Sequence, residues 1–256
     1  MTKEKHAELV KLISEKSTLQ PPALIYNDYD NWRTKATLAR LLTSYGLNYP
    51  EEAIELFRDV VAIPLDETSE DMDADVDLMA WALCDLSDLE CHQGDNELSL
   101  EHINQAIKLA ESRNVDYSFT VRGNLMFHKF LTLCQLGREQ EAETMANDMI
   151  ENHKNPDILN NSYIFYGYQC KARLAVIKEN SAEIKKFMLK ALEGVDPSDK
   201  AVIEATAELE SIDISNISAK DLFNKMYKML PDAFHCITWW DMPGMPPWTK
   251  ENNDKD

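Results

Sequence analysis

Glycine is scarce in this chain, with seven in 256 residues. Phosphate-cradling loops, tight hairpins and dinucleotide folds all depend on glycine, because their backbones take positive φ or approach a ligand closely. Those architectures are therefore disfavoured. No stretch holds the ~18 uninterrupted apolar residues that a membrane span needs. The opening Met1, Thr2, Lys3, Glu4, Lys5 and His6 is charged and runs into an amphipathic pattern, not an apolar signal core. Nucleophile motifs, metal-binding histidine pairs on one helix and glycine-rich cradles are all missing. The six histidines, at 6, 92, 102, 128, 153 and 235, have no carboxylate spacing that suggests a triad. Five cysteines, at 84, 91, 134, 170 and 236, are odd in number, and four sit inside helical patterns. That suits reduced thiols in a cytoplasmic protein better than a secreted disulfide framework.

Basic residues are missing from one long stretch. The formal net charge is −19, and residues 66–101 hold thirteen Asp or Glu with no Lys or Arg. Phosphate backbones require a positive surface, so nucleic acid is a poor ligand for this region. A basic protein or peptide is a better one, because complementary charge speeds encounter and suppresses wrong partners. The plainer reading is that acidic residues keep an exposed face solvated. Asp66, Glu67, Glu70, Asp71, Asp73, Asp75 and Asp77 form the candidate acidic patch. Asp71, Asp73, Asp75 and Asp77 alternate as in a calcium loop, but Val76 stands at the glycine position and Ala82 at the closing glutamate. Acidic residues leading into a helix start explain the run.

What is present is a globular composition, 44% hydrophobic, with abundant Leu, Ala, Glu and Lys and few β-branched runs, which favours helix throughout. Gly46, Gly94 and Gly137 each end one apolar helical pattern and precede another. After Gly94 come Leu100, Ile103, Ala106 and Ile107; after Gly137, Met145, Ala146, Met149 and Ile150. After Gly46 the frame slips through Pro50 before Ala53, Ile54, Phe57, Val60 and Val61. A fourth unit without the glycine has Ile184, Phe187, Met188, Ala191 and Leu192. Such spacing marks helices that bury one stripe. The preceding helices carry small residues at Ala39, Ser87 and Ala172, where two helices of a hairpin would approach closely. Each hairpin alone exposes an apolar face, so neighbours stack into a solenoid.

This arrangement of a helix, a turn glycine and a small residue five positions on (Ser99, Ala142) resembles the tetratricopeptide repeat family over residues 32–197. The anchor positions Ala53, Ser99, Ala142 and Ile184 lie 46, 43 and 42 apart, against ~34 in that family. The resemblance implies an all-α, right-handed α-solenoid of stacked antiparallel helix pairs. One domain would cover 1–230, with hairpins near 32–64, 76–112, 120–153, 160–195 and 199–230. In such a solenoid the first helix of each hairpin lines the concave surface. That surface would show Arg33, Arg40, Trp81, Asp88, Asn124, Phe127, Tyr166, Gln169 and Arg173. Arginines and aromatics dominate binding energy when buried at an interface; the competing reading is that these aromatics simply pack between helices. Some members of the family hold a peptide carboxylate with Lys and Asn; here Gln169 and Arg173 occupy the matching positions, so that specificity is not implied.

Residues 231–256 form a Trp/Pro-rich tail with Trp239, Trp240 and Trp248. It would either cap the last helix pair or occupy the protein's own groove in extended form. Cys84, Cys91 and His92 share one helical face, with Cys134 on the next hairpin, but the short-loop spacing of structural zinc sites is absent. No metal or cofactor is expected.

The residues thus point to a non-catalytic scaffold that binds a protein or peptide, probing a basic partner with its concave face, and away from nucleic acid and membrane. A toxin-immunity protein or dedicated chaperone masking a basic surface is the second reading. An enzyme with no recognisable motif is the third, because catalytic groups can converge from distant segments. The oligomeric state is left open by the sequence.

Overall fold

A computed structural model of the chain describes residues 2–16, 25, 29–43, 49–66, 68–112, 118–152, 161–193 and 199–230. Within them it is all helical, with no strand among the described residues. The helices are α1 (Lys3–Lys16), α2 (Trp32–Thr43), α3 (Pro50–Val61), α4 (Met72–Gln93), α5 (Asn96–Glu111), α6 (Ser118–Gln135), α7 (Glu139–Asn152), α8 (Asn161–Ile177), α9 (Ser181–Glu193), α10 (Lys200–Ser211) and α11 (Ala219–Lys228). Their ends follow local chemistry. Gly94 ends α4 at φ 88° and Gly137 follows α6 at φ 69°, a left-handed conformation that costs other residues a Cβ clash. Pro50 opens α3, where its missing N–H would have no partner in any case. Ser218 caps α11: its Oγ accepts from the Asp221 amide at 3.1 Å and donates to the Asp221 carboxylate at 2.7 Å.

The chain divides into two compact units, Met1–Ser118 and Phe119–Asp256. In the first, α2 packs on α3 and α4 on α5, while α4 also packs on α2 and α3. Its core includes Leu38, Leu42, Phe57, Leu86 and Ile103, all fully buried. Helix α4 differs from its neighbours in being buried nearly all round, with Asp75, Ser87, Asp88 and Glu90 among its buried residues. A helix surrounded in this way belongs to the interior of its unit. Ser87 and Ser99 are both fully buried, and their hydroxyls meet at 2.9 Å between α4 and α5. Ser87 also donates to the Ser99 carbonyl at 2.9 Å.

In the second unit α8 packs on α7, α9 and α11, and α9 also contacts α10 and α11. Ile184, Met188, Ala191 and Leu192 of α9 meet Leu209 of α10 and Leu222 and Met226 of α11 in one core cluster. At Gly167 an added Cβ would lie 2.7 Å from Ile150 Cγ1, 3.2 Å from the Ala146 carbonyl oxygen and 3.3 Å from Met149 Cβ. The missing side chain therefore sets how closely α7 and α8 approach. Gly46, Glu67, Cys236 and the tail with Trp239, Trp240 and Trp248 lie outside the described residues.

Candidate functional site

Helix α4 carries acidic residues into the interior of unit 1, where arginines of α2 and α3 and a histidine of α5 meet them. Arg33 of α2 grips Asp75 through Nε at 2.6 Å and Nη2 at 2.7 Å, with Asp71 at 3.6 Å from Nη1. The hydrogen bond to Asp75 raises the Arg33 pKa, and burial opposes it only in part. Two turns further on, Arg40 pairs with Asp85 at 3.0 Å and lies over the Trp81 ring at 5.3 Å. Near the end of α4, the fully buried Glu90 accepts from Arg58 of α3 at 3.1 Å and sits 2.6 Å from Nδ1 of His102 on α5. Burying a carboxylate is costly unless it is paired and hydrogen-bonded, and this ladder provides the pairing.

The acidic patch consequently splits into interior and exterior members. Asp75 is buried and bonded to Arg33. Asp77 is half-buried, and burial pushes its carboxyl above the usual range. Asp66, Glu70, Asp71 and Asp73 are exposed, clustered around the start of α4. Asp66 caps its own turn, accepting from the Thr68 amide at 2.9 Å and hydroxyl at 2.6 Å, which lowers its pKa. The charge in this stretch that solvent meets is concentrated at α4's N-terminal end and at the α4–α5 junction, where Asp95, Glu97 and Glu101 are exposed.

In unit 2 the candidate residues of α6 and α8 come together. Phe127 lies 5.6 Å from Tyr166, and the Arg173 guanidinium sits 5.2 Å from the Phe127 ring centre. Two rings of α11 complete the enclosure, Phe223 at 4.9 Å and Tyr227 at 5.6 Å from Arg173. Arginine over aromatic faces is an attractive arrangement that strengthens when desolvated. One turn before Arg173, Gln169 is fully buried, and neither its amide nitrogen nor its carbonyl oxygen has a hydrogen-bond partner. Asn124 and Tyr166 are half-buried.

Exposure corrects the expectation of a water-facing wall at four of its nine positions. Asp88, Phe127, Gln169 and Arg173 are 5%, 0%, 0% and 4% exposed. The physical reason is covering by neighbours: α4 is packed by α2, α3 and α5, and α8 by α7, α9 and α11. Arg33, Arg40, Trp81, Asn124 and Tyr166 keep partial or full exposure. Sequence reasoning missed Arg58, Glu90, His102, Phe223 and Tyr227. The absence of basic residues from 66–101 was the one available signal for the first three, since any counter-charge for that stretch had to come from outside it.

Among the described residues Cys84, Cys91, Cys134 and Cys170 are buried thiols outside any disulfide. Burial pushes the Cys134 thiol far above its ordinary range, and Glu139 adds to the effect. Among the described residues no three His, Cys, Asp or Glu side chains converge in a way that would hold a metal ion. No described helix is long and apolar enough to cross a membrane.

No protein-family model, no curated protein and no solved structure matches the chain.

Proposed function

We propose that this chain is a non-catalytic scaffold, tetratricopeptide-like in its successive helix pairs, that binds a basic protein or peptide in the cytoplasm. The observation that carries the reading is the division of acidic charge in unit 1. Asp75, Asp85 and Glu90 are answered from within by Arg33, Arg40 and Arg58. Buried or half-buried, they act as fixed structural charges. Asp66 and Glu70 stand exposed in a stretch that supplies no cation of its own, which favours attraction of a positively charged surface. The half-exposed Arg40–Trp81 stack is the strongest candidate anchor among the expected face residues, because arginine and tryptophan are the types that concentrate binding energy. The four buried thiols fit a reducing compartment.

The test is recovery of partners from native lysate with the full chain and with the variant Asp66→Lys/Glu70→Lys. The reading expects basic proteins with the parent and their loss with the variant, at unchanged helicity. Undiminished recovery overturns it. Salt separates a scaffold from an electrostatic mask such as an immunity protein: binding anchored on Arg40 and Trp81 persists at ~0.5 M salt, whereas a mask releases its partner there.

A further inference from the structure

Unit 2 carries a cluster of cations that no described carboxylate answers. Residues 161–193, spanning α8 and α9, hold six Lys or Arg against three Glu, in a chain whose net charge is −19. Tyr168 of α8 and Phe187 of α9 lie side by side, their ring centres 6.3 Å apart and their planes 22° from parallel. Three lysines gather on this pair. Lys171 and Lys186 stand 5.6 and 5.5 Å from the centre of Phe187, and Lys190 stands 5.5 Å from that of Tyr168. Lys171 also donates to the side-chain oxygen of Asn147 on α7. Lys186 is exposed, and the other two lysines and both rings are half-buried. Among the described residues none of the three ammoniums has a carboxylate partner. Their neighbours are occupied: Lys178 pairs with Glu143 at 3.0 Å, and Lys185 donates to the Glu210 and Ile212 carbonyls at 2.7 Å each.

We propose that this α8–α9 face is a docking site for an acidic segment of a partner protein, one in which Asp or Glu is interspersed with large apolar residues. The inference goes beyond the proposed function, because it gives unit 2 a binding surface of the opposite sign. The sign of the occupant follows from the lining, which offers three ammoniums and no acid. The spacing suits a peptide. Lys186 and Lys190 are one helical turn apart, ~6 Å along α9, and carboxylates two positions apart on an extended strand are separated by about 7 Å. The rings suit the apolar residues. A side chain laid on Tyr168 and Phe187 excludes water beside the ammoniums, and an ion pair strengthens as its surroundings lose water. A nucleic acid is the poorer occupant. Its charge runs on past three lysines into the field of a strongly acidic chain, whereas a short segment stays on the cluster, and charges more than ~8 Å away are largely screened at physiological salt.

The probe is a short synthetic peptide in which glutamates are interspersed with leucine and phenylalanine. Its controls are a version with serine at the apolar positions and a single-stranded oligonucleotide. Binding to the full chain is read by fluorescence anisotropy at ~0.15 M salt. The inference expects the peptide to bind at least about tenfold more tightly than either control. Lys186→Gln/Lys190→Gln should weaken it by about tenfold or more, at unchanged helicity because neither side chain is buried. Lys225→Gln/Lys228→Gln removes the same charge from exposed positions on α11 of the same unit and should leave binding unchanged. Equal losses from the two pairs would mean diffuse attraction and overturn the site. A serine version that binds as well as the parent peptide removes the rings from recognition and overturns the segment named here. Tighter binding of the oligonucleotide replaces a protein partner with a nucleic acid. A gain of about tenfold on Trp239→Ala/Trp240→Ala assigns the face to this chain's own tail and sinks the partner. Absence of peptide binding overturns the proposal outright, whatever the fate of the acidic surface of unit 1.

Discussion

Arg33 and Asp75, forty-two positions apart in the chain, share two hydrogen bonds of 2.6 and 2.7 Å that tie α2 to the first turn of α4. Asp75 is 7% exposed at its side chain and Arg33 35%, so the carboxylate carries most of the desolvation. Removing the arginine leaves a buried anion. Arg33→Met is expected to lower the stability of unit 1 by about 2–3 kcal/mol, below the full cost of a wholly buried pair because the guanidinium is partly solvated. The double replacement Arg33→Met/Asp75→Leu should recover most of that loss. Urea unfolding of the four members of the cycle measures the coupling; strict additivity would show that the two side chains do not act together.

Acid should weaken unit 1 through His92. Burial lowers its pKa below the ordinary imidazole value of 6.5, with Asp88 opposing the shift. The folded chain therefore resists protonation that the unfolded chain accepts. The stability that follows is complete above 6.5 and declines as pH falls through that value towards the folded one. Thermal melts between about pH 7.5 and about pH 5.5 should show a falling midpoint, and His92→Gln should make the fall shallower. An unchanged slope in the variant refutes the assignment.

Helix ends and buried stripes were legible in the residues because each depends on a few neighbouring positions. Gly94 and Gly137 mark turns by the positive φ they take, and Ser218 with Asp221 states a cap within three positions. Ser87 and Ser99 were readable as small residues at a close approach, and they do meet. The charge ladder was not readable, because Glu90 in a helical pattern looks like a solvated residue until Arg58 and His102 are brought to it from other helices. The same holds for Phe127 and Arg173. Their burial depends in part on α11 lying against α8, a contact between segments about fifty residues apart that no local pattern encodes.

Gln169 offers a test by improvement. Both polar atoms of its amide are buried without a partner, and an unsatisfied buried group usually costs more than an apolar one of the same shape. Gln169→Met is expected to stabilise unit 2 by about 1 kcal/mol in denaturant unfolding. A loss of stability instead would show that the amide is satisfied in solution and that the packing around Arg173 depends on it.

Gly167 should behave in the opposite sense to its helix propensity. In an exposed helix interior, glycine to alanine gains up to about 1 kcal/mol. Here the new methyl would meet Ile150 at 2.7 Å and the Ala146 carbonyl at 3.2 Å. Gly167→Ala is therefore expected to destabilise by about 1–2 kcal/mol net, and Ile150→Ala placed beside it should restore part of the loss. Chemical denaturation of the two variants decides between crowding and propensity.

The ladder along α4 also sets where this molecule can be shortened. Two of its three rungs, at Asp75 and Asp85, are anchored by Arg33 and Arg40 on α2. Any cut that discards α2 removes the counter-ions of Asp75 and Asp85 together with the buried Leu38 and Leu42 that α2 adds to the core. A fragment beginning after residue 49 would hold every turn of the long central helix and still lack the charges that let it stay folded.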